Sequence, residues 1–155
     1  MRIRFAEHGD VEAILALAEE IFSHGRFAAL TFDHEKVRQV VTHAVDNPGY
    51  FLALAETADG ELAGVHLANM ENFFFAKEPF AQSVTFFVRP DFRGTSAAPK
   101  LLAALRKWAA KRGAHELVVG TGESEGQDLE KTDRFLRKMG LEPTGGNYVQ
   151  RLARP

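Results

Sequence analysis

The chain has 155 residues, 45% of them hydrophobic and 26% charged, enough for a single domain over 1–155 with a core of its own. Its net charge of -2 leaves no electrostatic footprint for nucleic acid, no apolar run reaches membrane-spanning length, and the start Met1-Arg2-Ile3-Arg4-Phe5 lacks a signal-peptide core, so the cytoplasm is the default compartment. With no cysteine in the chain, disulfides, thiolate zinc sites and a cysteine nucleophile are excluded, and no metal is expected.

Arg2 to Ala6 alternates charged and apolar residues, as a half-buried strand does. Asp10 is placed to cap a helix whose apolar positions Val11, Ile14, Leu15, Ala18, Ile21 and Phe22 recur at helical spacing. A second helix is predicted after Asp33, with Val37, Val40, Val41, Ala44 and Val45 on one side and Asn47-Pro48-Gly49 ending it. Tyr50 to Thr57 and Glu61 to Met70 read as strands joined by a hairpin turn at Ala58-Asp59-Gly60. A strand over Ser83 to Val88 leads into a turn and a helix over Ala97 to Lys111, with Leu101, Leu105 and Trp108 on one face. His115 to Gly120 reads as a strand, Asp128 to Met139 as a helix and Asn147 to Leu152 as a closing strand. The order β-α-α-β-β-β-α-β-α-β is that of an α/β (α+β) domain, a mixed sheet flanked by helices.

Thirteen Phe stand against two Tyr and one Trp, and several cluster in Phe73-Phe74-Phe75-Ala76-Lys77-Glu78-Pro79-Phe80. Packing in the core or in a homodimer interface is the preferred reading; a wall or lid of a substrate pocket is the alternative.

The segment Val88-Arg89-Pro90-Asp91-Phe92-Arg93-Gly94-Thr95-Ser96-Ala97-Ala98-Pro99-Lys100-Leu101-Leu102 joins an apolar strand to a helix through a basic residue and small ones. Such a turn leaves backbone N–H groups free around an anion, and the helix start adds its own unpaired donors and positive dipole end. A diphosphate suits that place. The segment resembles the acetyl-coenzyme A motif of the GNAT-type N-acetyltransferases, V-x-P-x-x-R-G-x-G-x-[GA]-x-x-L-L, through Val88, Pro90, Arg93, Gly94, Ala98, Leu101 and Leu102. Downstream, Trp108-Ala109-Ala110-Lys111-Arg112-Gly113-Ala114 is similar to W-A-x-x-R-G-A, and Phe135-Leu136-Arg137-Lys138-Met139-Gly140-Leu141 to F-Y-x-K-x-G-F. The ending Pro143 to Tyr148 resembles a subgroup met in phage and prophage genomes.

The resemblance implies a GNAT-like, mostly antiparallel mixed sheet and acetyl-coenzyme A as co-substrate. Arg93, Gly94, Thr95, Ser96, Ala97 and Ala98 would grip the pyrophosphate, and the pantetheine arm would enter between two splayed strands, on main-chain groups of Phe87 and Val88. The implied activity is acetyl transfer to a small-molecule or peptide amine by direct attack in a ternary complex. Two positions depart from the motifs. Ser96 stands where the second glycine would be, acceptable if its backbone is helical. Leu136 stands where a tyrosine usually protonates the leaving thiolate, which implies a slow enzyme or a catalytically silent acyl-coenzyme A-binding module.

A base must free the amine of its proton. Glu71 at a strand end, Glu123 after the strand His115 to Gly120, Glu78 and His66 are candidates, with Glu71 and Glu123 preferred and His66 read as a buried structural histidine. Tyr148 on the last strand is the tyrosine that reaches the acceptor pocket. The acidic residues near the cleft favour a cationic acceptor. Gly120 to Gly126 is a rival phosphate loop of a nucleotide-binding protein, disfavoured because Glu123 and Glu125 would repel a diphosphate.

Overall fold

Alternating polarity lays Arg2–Phe5 (β1) against Tyr50–Glu56 (β2), and the antiparallel register Arg2↔Glu56 to Phe5↔Ala53 fixes which side chains face inward. The computed structural model describes residues 1–121 and 128–152. Leu62–Asn72 (β3) returns beside β2, and Pro79–Val88 (β4) beside β3, both antiparallel. Leu117–Val118 (β5) then joins β4 in parallel, giving a five-stranded mixed sheet in the order β1-β2-β3-β4-β5. The expected fold class is therefore borne out. Among the described residues no helix is long and apolar enough to cross a membrane.

Helices cover both faces. Val11–Phe22 (α1) and His34–Asp46 (α2) bury Ile14, Leu17, Ile21, Val41 and Ala44 against Leu52, Leu54, Val65 and Phe87 on one face. Ala97–Lys111 (α3) buries Leu101, Leu105 and Trp108 against Phe51, Ala53, Ala68, Ala81 and Val88 on the other. Each such leucine, fully buried, stabilises the fold by about 1.5–3 kcal/mol. Leu129–Lys138 (α4) buries no residue completely and stands near the β5 edge.

Local chemistry sets the helix ends. Asp33 accepts a bond from the Lys36 amide at 2.9 Å, and Asp128 one from the Lys131 amide at 3.1 Å, the expected capping geometry. Asp10 precedes α1 but does not cap it. Its carboxylate is taken by Arg4 at 2.7 Å, and Arg4 also reaches Glu56 at 2.6 Å, tying the start of α1 to β1 and β2.

Three elements differ from expectation. β4 begins at Pro79, because Phe80, Ala81 and Gln82 find partners in β3 that the polar Gln82-Ser83 pair does not advertise. β5 is only two residues long. The closing strand expected over Asn147 to Leu152 is not formed; those residues carry no regular structure and are exposed, with Tyr148 fully so. Gly145 and Gly146 precede them and weaken any strand there.

The Phe73 to Phe80 cluster forms the turn between β3 and β4 instead of filling a core. Phe73 packs on Phe80 with ring centroids 4.6 Å apart, while Phe74 and Phe75 are 99% and 74% exposed.

Candidate functional site

β4 carries a bulge. Its register on β3 slips between Leu67↔Thr85 and Ala68↔Ser83, leaving Val84 as the extra residue. Before it, Ala81 N donates to Glu116 O and Pro79 O accepts from His115 N, so alternate main-chain groups face β5. That contact stops after Gln82↔Val118. Beyond the bulge β4 runs on to Val88 with no described strand on that side.

Which groups line the open edge follows from the ladder. Arg89 N donates to Ala63 O at 2.9 Å, and hydrogen-bonded pairs alternate along an antiparallel ladder. Phe87 therefore turns its main chain to Val65 of β3, and Phe86 and Val88 turn theirs to the open edge. The expectation of Phe87 and Val88 shifts by one residue at its first member, because the bulge changes the parity of the strand. Phe87 still borders the cleft with its side chain. Gly64 lies under this stretch, where a Cβ would stand 2.7 Å from the Phe87 carbonyl oxygen, so β3 needs glycine there.

The turn after β4 is built from local bonds. Arg93 Nε donates to Val88 O at 3.2 Å, Thr95 Oγ1 donates to Phe92 O at 2.6 Å, and Ala97 N donates to Thr95 Oγ1 at 3.3 Å. Gly94 has φ of +82°, a left-handed conformation that favours glycine. Ser96 has φ -75° and ψ 1°, so serine sits there without strain, as the sequence required. The amides of Gly94, Ser96 and Ala98 donate to no described residue. Pro99, the third residue of α3, has no N–H to leave unpaired.

These groups border a cleft of about 650 Å³, closed on the far side by Asp128, Lys131, Thr132 and Phe135 of α4 and its cap. Two helix N-termini thus meet at one hollow, with Arg93 and Lys131 as cations and Asp128 as the one described acid among its lining. The Lys131 amide beside Asp128 holds its carboxyl below the usual range. A cavity of similar size, about 640 Å³, lies among the end of α2, Trp108 and Arg112, and holds none of the motif turn.

The other expected residues scatter. Glu71 is exposed at the far end of β3, opposite Phe80, and its Oε1 accepts from Asn69 Nδ2 at 2.6 Å. Strand alternation puts it on the same face as Val65 and Leu67. Glu78 is exposed in the β3–β4 turn. Glu123 and most of Gly120 to Gly126 lie outside the described residues. Tyr148 is not brought to any described cleft, since the strand that would carry it is absent. Leu136 faces a separate hollow of about 580 Å³ with Leu117 and Val118, and Phe135, its neighbour, faces the cofactor-sized cleft and lies 6.3 Å from the Phe86 ring.

His66 is buried as expected. Its Nε2 lies 2.9 Å from Ser83 Oγ, its ring stacks on Phe86 at 4.3 Å, and Nδ1 has no partner among the described residues. Burial pushes the imidazole down to about 3, so it is neutral at neutral pH. Phe86, Lys131, Thr132 and Phe135 escaped the sequence reading. The bulge hid the parity that exposes Phe86, and the α4 residues carry only the 3–4 residue spacing of a helix face.

Residues 11–140 match the Acetyltransferase (GNAT) family. No curated protein matches the chain in sequence. Among solved structures, the aminoglycoside acetyltransferase AAC(6')-Iy, in complex with a bisubstrate analogue of coenzyme A, superposes with a TM-score of 0.74 at 18% identity, over 99% of this chain and 98% of that one. Glucosamine-6-phosphate N-acetyltransferase from Arabidopsis thaliana gives 0.74 at 14% identity, over 98% of each chain. An integron cassette protein from a salt-marsh metagenome gives 0.73 at 22% identity, over 99% of this chain and 91% of that one.

Proposed function

Because the chain belongs to the Acetyltransferase (GNAT) family, we propose that it moves an acetyl group from acetyl-coenzyme A to an amine within a ternary complex. The observation that carries this reading is the row of unbonded amides at Gly94, Ser96 and Ala98, continuous with the unpaired edge of β4. A linear cofactor with a diphosphate and two amides fits that pair of features. The diphosphate takes the turn, where donors and a helix dipole are already aimed. The arm takes the edge, bonding to Phe86 and Val88 as an added strand would.

When bound, acetyl-coenzyme A supplies a thioester: the amine lone pair forms the new C–N bond, the C–S electron pair leaves as thiolate, and the amine's surplus proton goes to a base. The Val88 N–H, turned to the open edge, is placed to hold developing negative charge on the carbonyl oxygen. Glu71 and Glu123 remain the carboxylates we propose as that base. Glu71 stands far from the Val88 N–H, since the eight residues from its partner Phe80 to Val88 span about 26 Å, so a relay of waters would have to carry the proton to it. Lys131 adds a second cation across from Arg93.

A second reading, a silent acyl-coenzyme A-binding module, is favoured by one observation. No tyrosine lines the cleft among the described residues. Thermal melting and thiol release test both. Acetyl-coenzyme A at about 100 times its Kd should add about 2.7 kcal/mol of apparent stability, and Ser96→Phe should remove that gain by filling the turn. An unmoved melting temperature refutes both readings; a shift without thiol release across an amine panel leaves the silent module.

A further inference from the structure

On the α1–α2 side of the sheet, a cavity of about 260 Å³ opens beside the β4 bulge. Ile14, Ile21, Leu67 and Val84 form its walls, and Val40 stands at its mouth. Val40 and Val84 are 44% and 43% exposed, apolar side chains that the packing of α1 on α2 leaves uncovered. Lys36 is the one charged residue in the lining among the described residues, and its ammonium has no ion-pair partner among them. Thr85 also lines the cavity, and the next residue, Phe86, lines the cofactor cleft. Phe87, on the same face of the sheet as the cavity, packs in one cluster with the cavity's Leu52 and Val65 and also lines the cofactor cleft, so the two hollows adjoin across that side chain.

The size is below the range of about 300–1,000 Å³ found for sites that enclose a whole ligand. This hollow suits one substituent. Its walls give a cation nothing to pair with, and burying an unpaired ammonium is costly. Its rim offers a free cation to an anionic group. Resting on the acetyl-transfer reading above, we propose that this cavity selects the acceptor, and that the acceptor is a hydrophobic α-amino acid. The apolar side chain occupies the cavity, the carboxylate meets Lys36, and the amine faces Phe87 where that side of β4 borders the cofactor cleft. An α-amino acid carries all three groups on one carbon. The acidic residues that favoured a cationic acceptor in the sequence do not line this cavity.

Calorimetry with L-phenylalanine, phenethylamine and spermidine, each titrated into protein saturated with coenzyme A, tests the cavity apart from turnover. L-phenylalanine should bind at least about tenfold more tightly than spermidine. Val40→Asp, a change at a half-exposed helix position, should weaken L-phenylalanine by about tenfold, and Lys36→Ala should weaken L-phenylalanine but not phenethylamine. Tighter binding of spermidine, no binding of L-phenylalanine, or indifference to both substitutions overturns the proposal. Thiol release with acetyl-coenzyme A separates the two claims. L-phenylalanine binding without release on any amine refutes acetyl transfer and keeps the cavity; release on cationic amines without L-phenylalanine binding refutes the cavity and keeps acetyl transfer.

Discussion

Mild acid should destabilise this protein through His66. The ring is wholly buried, stacked on Phe86 and edge-on to Phe51, and burial lowers its pKa from 6.5 to about 3. In the unfolded chain the imidazole titrates near its ordinary value. Between those two values the unfolded state binds a proton that the folded state refuses, so stability falls as pH falls. From about pH 7 to about pH 5 the linkage integral for one such group is about 2 kcal/mol, a loss present only below the unfolded pKa. Asp10 and Glu56, whose carboxyls Arg4 holds below their ordinary values, lose their contribution only as pH drops through the carboxylate range, beneath this window. The perturbation is His66→Gln, which keeps an amide near Ser83 Oγ and cannot titrate; His66→Leu is the second variant should Gln fold poorly. Urea unfolding at both pH values, on wild type and variant, gives a double difference. Wild type should lose about 2 kcal/mol more than the variant. Equal losses would refute the reasoning, since His66 would then accept a proton in the fold.

Gly64→Ala should destabilise by about 1–3 kcal/mol, because its Cβ would stand 2.7 Å from the backbone oxygen of Phe87; urea unfolding reads it, and an unchanged midpoint would show that β3 and β4 can part freely. Phe135→Tyr should raise kcat, by about tenfold at the lower end of what a placed acid provides, since Phe135 borders the cofactor-sized cleft. Leu136→Tyr should leave kcat unchanged because its side chain faces the other hollow; thiol-release kinetics on both variants would refute this if Leu136→Tyr were the faster.

The helices were legible because their cues are local. Asp33 and Asp128 announce two starts, and Leu101, Leu105 and Trp108 mark a buried face by spacing alone. The turn from Arg93 to Ala98 was legible for the same reason, down to the backbone of Ser96. Pairing was less so. Nothing in Val84 says that it is an extra residue, because a bulge is a property of two strands at once, and so the edge was assigned to Phe87 where Phe86 faces it. The closing strand failed the same way: Asn147 to Leu152 holds strand-forming Tyr148 and Val149, but strand formation depends on a neighbour that offers its edge. Leu136 and Phe135 show the limit of a motif match, which orders residues along a helix without setting the angle at which that helix meets the sheet.

The bulge at Val84 gives β4 two reading frames. Ahead of it, odd-numbered residues point to α3 and bond sideways to β5; after it, even-numbered ones point to α3 and turn their main chain to the open edge. Deleting Val84 would join Ser83 directly to Thr85 and restore unbroken alternation, so both halves of the strand would keep the faces they have now. The Phe86 ring would stay on His66 and its amide at the open edge, while the added twist that goes with the parting of β4 from β5 would be lost. Residue 84 should accordingly be free in its side chain and fixed in number, because its presence and not its identity goes with the opening of the β4 edge.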